Sequence, residues 1–395
     1  MGKYSQMKTT LLIALRTLPI LISWLIYGVS IQSLLAADDF AASKQRWALA
    51  LVDVQSPDPS RHQSETWWAI DEIVKYCPHH PELIDTLFSV LNDDTRRDDW
   101  EQAIMNIHTA VQGDARLSKS HVDKLTQILP QIVIYKRGSC IGLLGLQKEN
   151  AAIAIAAVRP YLASDESALS TRAASSVLRL SPTDQEAQRV LLTLATSQTI
   201  KDRRCAVYWM GKSGVDTPQF REALRVAMKD SDSGVRVLSS SSFWEITKSA
   251  EESLPVLRAS LDDESVFIEF GATIARNVTY PSQHVSTINC LGEMATIDHN
   301  AKQLLEDIAM KKITVEDAWA SISDSLIRSN GRVKYGVTSF QEAAVRTALA
   351  DDGVFSEIAR KRLSKLTTVE LKAKLKLFSA FRKQDAVWSE ASKLP

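Results

Sequence analysis

The densest grouping of reactive side chains is Cys77-Pro78-His79-His80-Pro81, one thiol and two imidazoles within four residues. Thiolate and imidazole are ligands for zinc and copper. Both prolines restrict the backbone, and no second ligand pair follows at finger-like spacing, so the segment reads as a turn between helices. Met210-Gly211-Lys212-Ser213-Gly214 contains Gly-Lys-Ser, the end of a phosphate-binding loop. The earlier glycine of that loop is missing and a helical pattern, not a strand, precedes it, so no nest of N–H groups can form around a phosphate. This stretch reads as a helix C-terminus with a glycine stop. The hydrolase elbow Gly-x-Ser-x-Gly, the zincin His-Glu-x-x-His and the haem-attaching Cys-x-x-Cys-His are absent. Asn277-Val278-Thr279 fits a glycosylation sequon in a turn setting. The sequence therefore supplies no catalytic residue, no cofactor-binding residue and no metal ligand set.

The elements that carry these residues are helical. Of 395 residues, 45% are hydrophobic, enough for a continuous core, while 14 Gly and 12 Pro are too few for the turns of an all-β fold. Ala, Leu, Glu, Lys, Arg and Gln dominate, which is helix-forming chemistry. Lys+Arg and Asp+Glu both number 47, and the zero formal charge lacks the basic surplus by which nucleic-acid binders displace counterions.

Lys3, Lys8 and Arg16 precede an apolar run from Leu18 to Ala37, and Asp38-Asp39 follow it. Basic residues, an apolar run and small residues form the tripartite pattern of a secretory signal. Twenty residues also suffice to cross a bilayer with the basic end cytoplasmic. Residues 1–37 are thus expected to be a signal peptide or a membrane anchor, with a buried N-terminal helix as the remaining alternative. Ser23, Ser30, Gln32 and Ser33 interrupt the run, which favours removal near Asp38. Either outcome exports the rest of the chain, to the periplasm or to the outer side of the inner membrane, with residues 18–37 as the possible tether.

Internal repetition organises the remainder. Cys140 pairs with Leu144, Ala174 with Leu178, Ala206 with Met210 and Ser239 with Phe243, a small residue followed one turn later by a large apolar one. Gly271 and Ala275 extend the series. The small positions lie 32 to 34 residues apart, the length of a helical hairpin. Polar turns precede them, as in Ser164-Asp165-Glu166, Lys229-Asp230-Ser231-Asp232 and Leu261-Asp262-Asp263-Glu264, where Asp and Ser can accept the orphan N–H groups of the next helix.

These segments resemble HEAT-like repeats, whose second helix opens Asp-x-x-Val-Arg-x-x-Ala with Leu-Gly following. Arg203, Ala206, Met210 and Gly211 match, as do Arg137, Cys140, Leu144 and Gly145. Asp232, Val235, Arg236 and Ser239 match the first half, with Phe243-Trp244 in place of Leu-Gly. Asp351-Asp352, Ala359 and Leu363 look like a last copy, with Ser356 where the arginine would stand. The resemblance is clear from Ile128 to Asn277 and degenerate from Asp71 to Gln127 and from His284 to Leu366. It implies an all-α fold, an α-solenoid of eight or nine hairpins with a concave face, over residues 64–366. Residues 38–63 read as a linker, with Ser56-Pro57-Asp58-Pro59-Ser60 within it. Residues 367–395 read as a capping helix with Leu371, Leu375, Phe378 and Phe381 on one face.

Repeat geometry also bears on the cysteines. Cys140 and Cys205 fall two units apart, roughly 20 Å at ~10 Å per helical layer, beyond the reach of a disulfide; buried free thiols are expected at Cys77, Cys140, Cys205 and Cys290. Trp209 and Trp244 fall on or beside the inner stripe and read as core, while Trp67-Trp68 and Trp319 are further aromatic candidates. A repeat array identifies a fold and not an activity. The expectation is a non-catalytic scaffold gripping another protein or peptide on its concave face. The rivals are an accessory protein, such as the HEAT-like proteins that attach bilin chromophores, an enzyme with a site dispersed over the repeats, and a membrane-tethered spacer.

Overall fold

The computed structural model describes residues 40–56, 58, 61, 64–112, 115–133, 137–262, 283–310, 319–327, 337–350 and 353–391. Among them there are nineteen α-helices and no strand. In chain order these are α1 (Phe40–Gln55), α2 (Ser64–Tyr76), α3 (Leu83–Asn92), α4 (Trp100–Gln112), α5 (Lys119–Ile128), α6 (Arg137–Leu144), α7 (Ala151–Val158), α8 (Ser167–Leu180), α9 (Gln185–Ala195) and α10 (Ile200–Ser213). There follow α11 (Pro218–Ala227), α12 (Ser233–Thr247), α13 (Ala250–Ser260), α14 (Gln283–Met294), α15 (His299–Ala309), α16 (Trp319–Ile327), α17 (Val337–Leu349), α18 (Val354–Arg362) and α19 (Thr368–Ala391).

Packing follows a simple rule. Even-numbered helices touch in series from α2 through α4, α6, α8, α10, α12 and α14 to α16. Odd-numbered helices form a second row, with α1 on α3, α3 on α5, α5 on α7 and α9 on α11, joined to the even row by the hairpins. An even helix is therefore enclosed on three sides, and α8 buries eleven of its fourteen residues.

Small residues make this possible. Cys140, Ala173, Ala206 and Ser239 recur at intervals of 33 residues with no exposed surface. Leu144, Val177, Met210 and Phe243 recur at the same interval one turn later and are equally buried. The unit in α8 thus runs through Ala173 and Val177, one residue before the Ala174 and Leu178 that the sequence pattern picks out. Both neighbouring alanines are buried, so the local sequence does not separate them. Gly271, Ala275 and the sequon at Asn277 lie outside the described residues.

The turns are tied by capping and by arginine. Asp184, Thr217, Asp232 and Asp298 accept the N–H groups of Ala187, Phe220, Val235 and Ala301, satisfying donors that have no partner within the helix. Arg137, Arg203 and Arg236 each reach back to turn carbonyls. Arg137 Nε donates to Ile132 O at 2.7 Å, Arg203 Nη1 to Ser197 O at 3.0 Å and Arg236 Nη1 to Asp230 O at 2.8 Å. In the last copy Ser356 Oγ donates to Thr347 O at 3.0 Å, and Arg360, one turn on, donates to Ala348 O at 2.9 Å. Arg360, four residues after Ser356, takes the place of the arginine absent from the last copy.

One boundary requires correction. Residues 38–63 read as a linker, yet Phe40–Gln55 form α1, with Trp47, Leu51 and Val54 buried. Ser43, Trp47, Ala50 and Val54 recur every three or four residues and make a core-facing stripe. A polar, proline-bearing segment after Gln55 separates that stripe from the repeats.

Packing at the small-residue positions can be tested directly. Ala206→Leu adds methylenes at a close helix contact and should lower stability by about 1–3 kcal/mol. An unchanged thermal melt would place Ala206 away from the interface.

Candidate functional site

The Cys77–His80 segment is a turn, and its reactive atoms point to the C-terminal helix. His79 Nδ1 lies 3.1 Å from Asp385 Oδ2, and the His79 N–H donates to Asp385 Oδ1 at 3.1 Å. Cys77 Sγ lies 3.7 Å from the Phe381 carbonyl, and the His80 ring sits 4.6 Å from that of Trp388. Phe381 packs against Trp47 at 5.2 Å and Tyr76 at 5.0 Å between ring centroids. α19 touches α1, α2 and α17, while α17 touches both α16 and α2, so the even-row contacts return to α2 in a closed circuit. This constellation is a seam. Among the described residues, no group of three or more His, Cys, Asp or Glu could hold a metal ion.

The thiols are equally inert. All four cysteines are free and buried. Burial pushes Cys205 up to about 11 and Cys140 and Cys290 to about 12, and it raises Cys77 further with help from Asp385 and Glu72. At neutral pH each is protonated and a poor nucleophile.

The Gly-Lys-Ser stretch ends α10, and Gly214 takes the left-handed conformation, φ 69°, that stops the helix. Its lysine nevertheless belongs to the most organised polar array in the protein. On α10, Ala206 and Met210 are enclosed, and at 100° per residue the opposite side carries Tyr208 and Lys212, both half-buried. Carried along the 33-residue register, the Lys212 position becomes Arg179 on α8 and Glu245 on α12. Arg179 Nε donates to the Lys212 carbonyl at 2.7 Å, and Lys212 Nζ is ion-paired with Glu245. Burial opposes the Lys212 charge, but Glu245, Tyr208 and Glu293 outweigh it and hold the ammonium above the usual lysine value. On this side of the even row, Arg179 on α8 and Lys212 on α10 are followed by Glu245 on α12 and Glu293 on α14.

A second layer of this array lies toward α4. The Arg172 guanidinium sits 5.1 Å from the Trp209 ring, a cation–π arrangement between α8 and α10. It lies along a groove opened by two glycines of α6: an added Cβ would stand 3.1 Å from Arg172 Nη1 at Gly138 and 2.8 Å from Nη2 at Gly142. Burial, with Arg172 and Arg179 nearby, pushes His108 on α4 down to about 4. Arg179 also borders an open cleft of about 580 Å³ between the turns at Pro182–Thr183 and Gly214–Pro218, lined further by Gln185, Gln188 and Gln219.

Of the tryptophans, Trp244 is buried, Trp209 partly buried and Trp68 40% exposed; the side chain of Trp319 lies outside the described residues. Sequence reading marked Trp209 and Lys212 for other chemistries and missed Arg179, Glu245, Arg172 and His108. The signal was available: Arg179, Lys212 and Glu245 keep the same spacing as the small residues. Compared with protein-family models and with curated proteins, the chain matches none.

His108 gives a pH signature. Its folded value near 4 lies below the ordinary 6.5, so as pH falls the unfolded chain takes up this proton first. Stability present above pH ~6.5 is lost between there and pH ~4, by no more than about 3 kcal/mol. Urea unfolding of the wild type and His108→Gln across that window should show a shallower pH dependence in the variant. Parallel profiles would place His108 in water.

Proposed function

We propose that the chain is an exported HEAT-like α-solenoid, closed on itself by its C-terminal helix, that binds an extended polypeptide along the inner row without catalysing a reaction on it. The supporting observation is the register-matched row of Arg179, Lys212 and Glu245 beside Tyr208 and Trp209. Aromatic and arginine side chains supply large, partly desolvated contact area, and a row that changes sign favours one direction of a bound chain. Helical repeats present such rows continuously, as an extended ligand requires.

The address rests on residues 1–37. Among the described residues no single helix is long and apolar enough to cross a membrane, and the Leu18–Ala37 run lies outside them. With basic residues before the run and acidic residues after it, the remainder belongs on the far side of the inner membrane. Alkaline phosphatase fused after Lys393 should be active, and a fluorescent protein that matures only in the cytoplasm should be dark. The reverse pattern would remove the export proposal.

Binding is tested by a photoreactive amino acid. Placed at Tyr208 in the full chain, it should trap polypeptide in the native membrane fraction, whereas the same group at the outward Val226, 62% exposed, should not. Lys212→Gln, which removes the charge without setting a carboxylate beside Glu245, should weaken the Tyr208 adduct severalfold at an unchanged thermal melt. Equal labelling from both positions, or none from Tyr208, would favour a spacer role instead.

A further inference from the structure

Arg179 is only partly used by the bond that ties it to the next unit. Among the described residues its one hydrogen bond runs from Nε to the Lys212 carbonyl at 2.7 Å, so both Nη groups remain available. Burial works against its charge, and Tyr208 and Glu245 compensate only in part, leaving the guanidinium below its usual value. Glu245 is itself ion-paired with Lys212. A half-buried cation in this position gains from an anion brought to it.

The cleft that Arg179 borders has room for one. Its volume of about 580 Å³ falls within the roughly 300–1,000 Å³ of ligand sites. Arg179 and Asp216 are the ionisable side chains on its wall. Asp216 is already gripped by the fork of Arg221, whose Nε donates at 2.6 Å, and this bond holds the Asp216 carboxyl below the usual carboxylate range. Arg179 is therefore the one uncommitted charge in the cleft. Gln185 and Gln188 donate Nε2 to the turn carbonyls of Thr183 and Pro182 at 3.1 and 3.0 Å, which leaves each Oε1 as an acceptor. Leu178 and Val215, both buried, add apolar wall.

We propose that this cleft seats a carboxylate of the bound polypeptide, either an acidic side chain or the chain end. Arg179 Nη1 and Nη2 donate to its two oxygens, and the Gln185 and Gln188 amides accept from neighbouring backbone N–H groups. The proposal rests on the polypeptide reading of the inner row, to which Arg179 also belongs. The two Nη groups of a guanidinium match the two oxygens of a carboxylate. A phosphate fits less well, because the amide acceptors would face its oxygens, whereas a polypeptide supplies the donors they need.

The test follows the Arg179 Nε–H signal of the full chain by magnetic resonance, assigned by its loss in Arg179→Gln. Three pentapeptides serve as probes: one capped at both ends with a central glutamate, its glutamine counterpart, and an uncharged one with a free C-terminal carboxylate. The signal should shift with the glutamate peptide, the free-ended peptide or both, and the glutamine peptide should bind about tenfold more weakly, as expected for loss of hydrogen bonds to a charged group. Which acid peptide responds identifies the source of the carboxylate. Gln219 on the rim is exposed, so its charge can be changed without disturbing the core. Gln219→Glu should weaken the acid peptides and Gln219→Lys strengthen them, with the glutamine peptide unmoved by either; changes of the same sign in both variants would overturn the proposal. Equal affinity for all the peptides overturns the carboxylate seating and leaves polypeptide binding in place. Acetate binding as tightly as the acid peptides makes the cleft a site for small acids and also overturns it. An Arg179 signal unmoved by every probe overturns it too, and a Tyr208 adduct obtained in that case leaves the polypeptide reading standing.

Discussion

Helices can run side by side at backbone distance only where neither carries a large side chain at the crossing, and the even row meets that condition at three glycine–serine crossings. Gly145 faces Ser176 and Gly211 faces Ser242, two contacts related by 66 residues, or two units; an added Cβ would stand 2.6 Å and 2.7 Å from the respective serine Cβ atoms. Gly292 meets Ser325 in the same way at 2.6 Å. Serine serves here because its hydroxyl need not seek water. Ser239 Oγ donates to Val235 O at 2.7 Å, and Ser240 and Ser253 exchange hydrogen bonds with each other's carbonyls at 2.7 and 2.9 Å. A larger residue at any of these positions would push two units apart, and the displacement would propagate through the row.

The same constraint explains what the sequence disclosed. A small residue enclosed on three sides recurs at the length of the hairpin, so the hairpins were legible wherever the pattern was sharp. In α8 both Ala173 and Ala174 satisfy it, and the register slipped by one. α1 was missed because Trp47 and Val54 bear on partners remote in sequence, and their spacing means little until α2 and α19 are placed. The inner row was hidden for another reason. Charged residues scattered along a helix look like solvated surface until the enclosed side is fixed, and only then does the shared position of Arg179, Lys212 and Glu245 carry meaning.

Electrostatics in this protein serve register more than stability. Arg159 is paired with Asp184 and Glu186, and Arg225 with Glu252, the Arg–Glu pairs being 66 residues apart. Exposed pairs of this kind contribute about 0–1 kcal/mol each. The inner pairs differ in geometry. Arg203 grips Asp230 with bonds of 2.7 and 2.9 Å, and Arg204 grips Asp232 with 2.8 and 2.7 Å, while Asp232 also caps α12. A forked guanidinium accepts little angular error, so each grip fixes one unit's rotation relative to the next.

Closure of the circuit completes this packing. An open array leaves an apolar flank bare at each end, whereas here Phe381 fills the space between Trp47 and Tyr76, and one helix covers the first units and the last. Cys77 and Phe381 are 304 residues apart. Loop-closure entropy rises only with the logarithm of length, so joining ends this distant costs roughly 2 kcal/mol more than closing a loop one-tenth as long. A buried phenylalanine is worth about 3–5 kcal/mol against its removal, and the intervening units, once folded, already bring the ends together. The burial at the seam therefore offsets the entropic cost of closing so long a loop. Once formed, the seam ties the first helices of the even row to the last through α17 and α19.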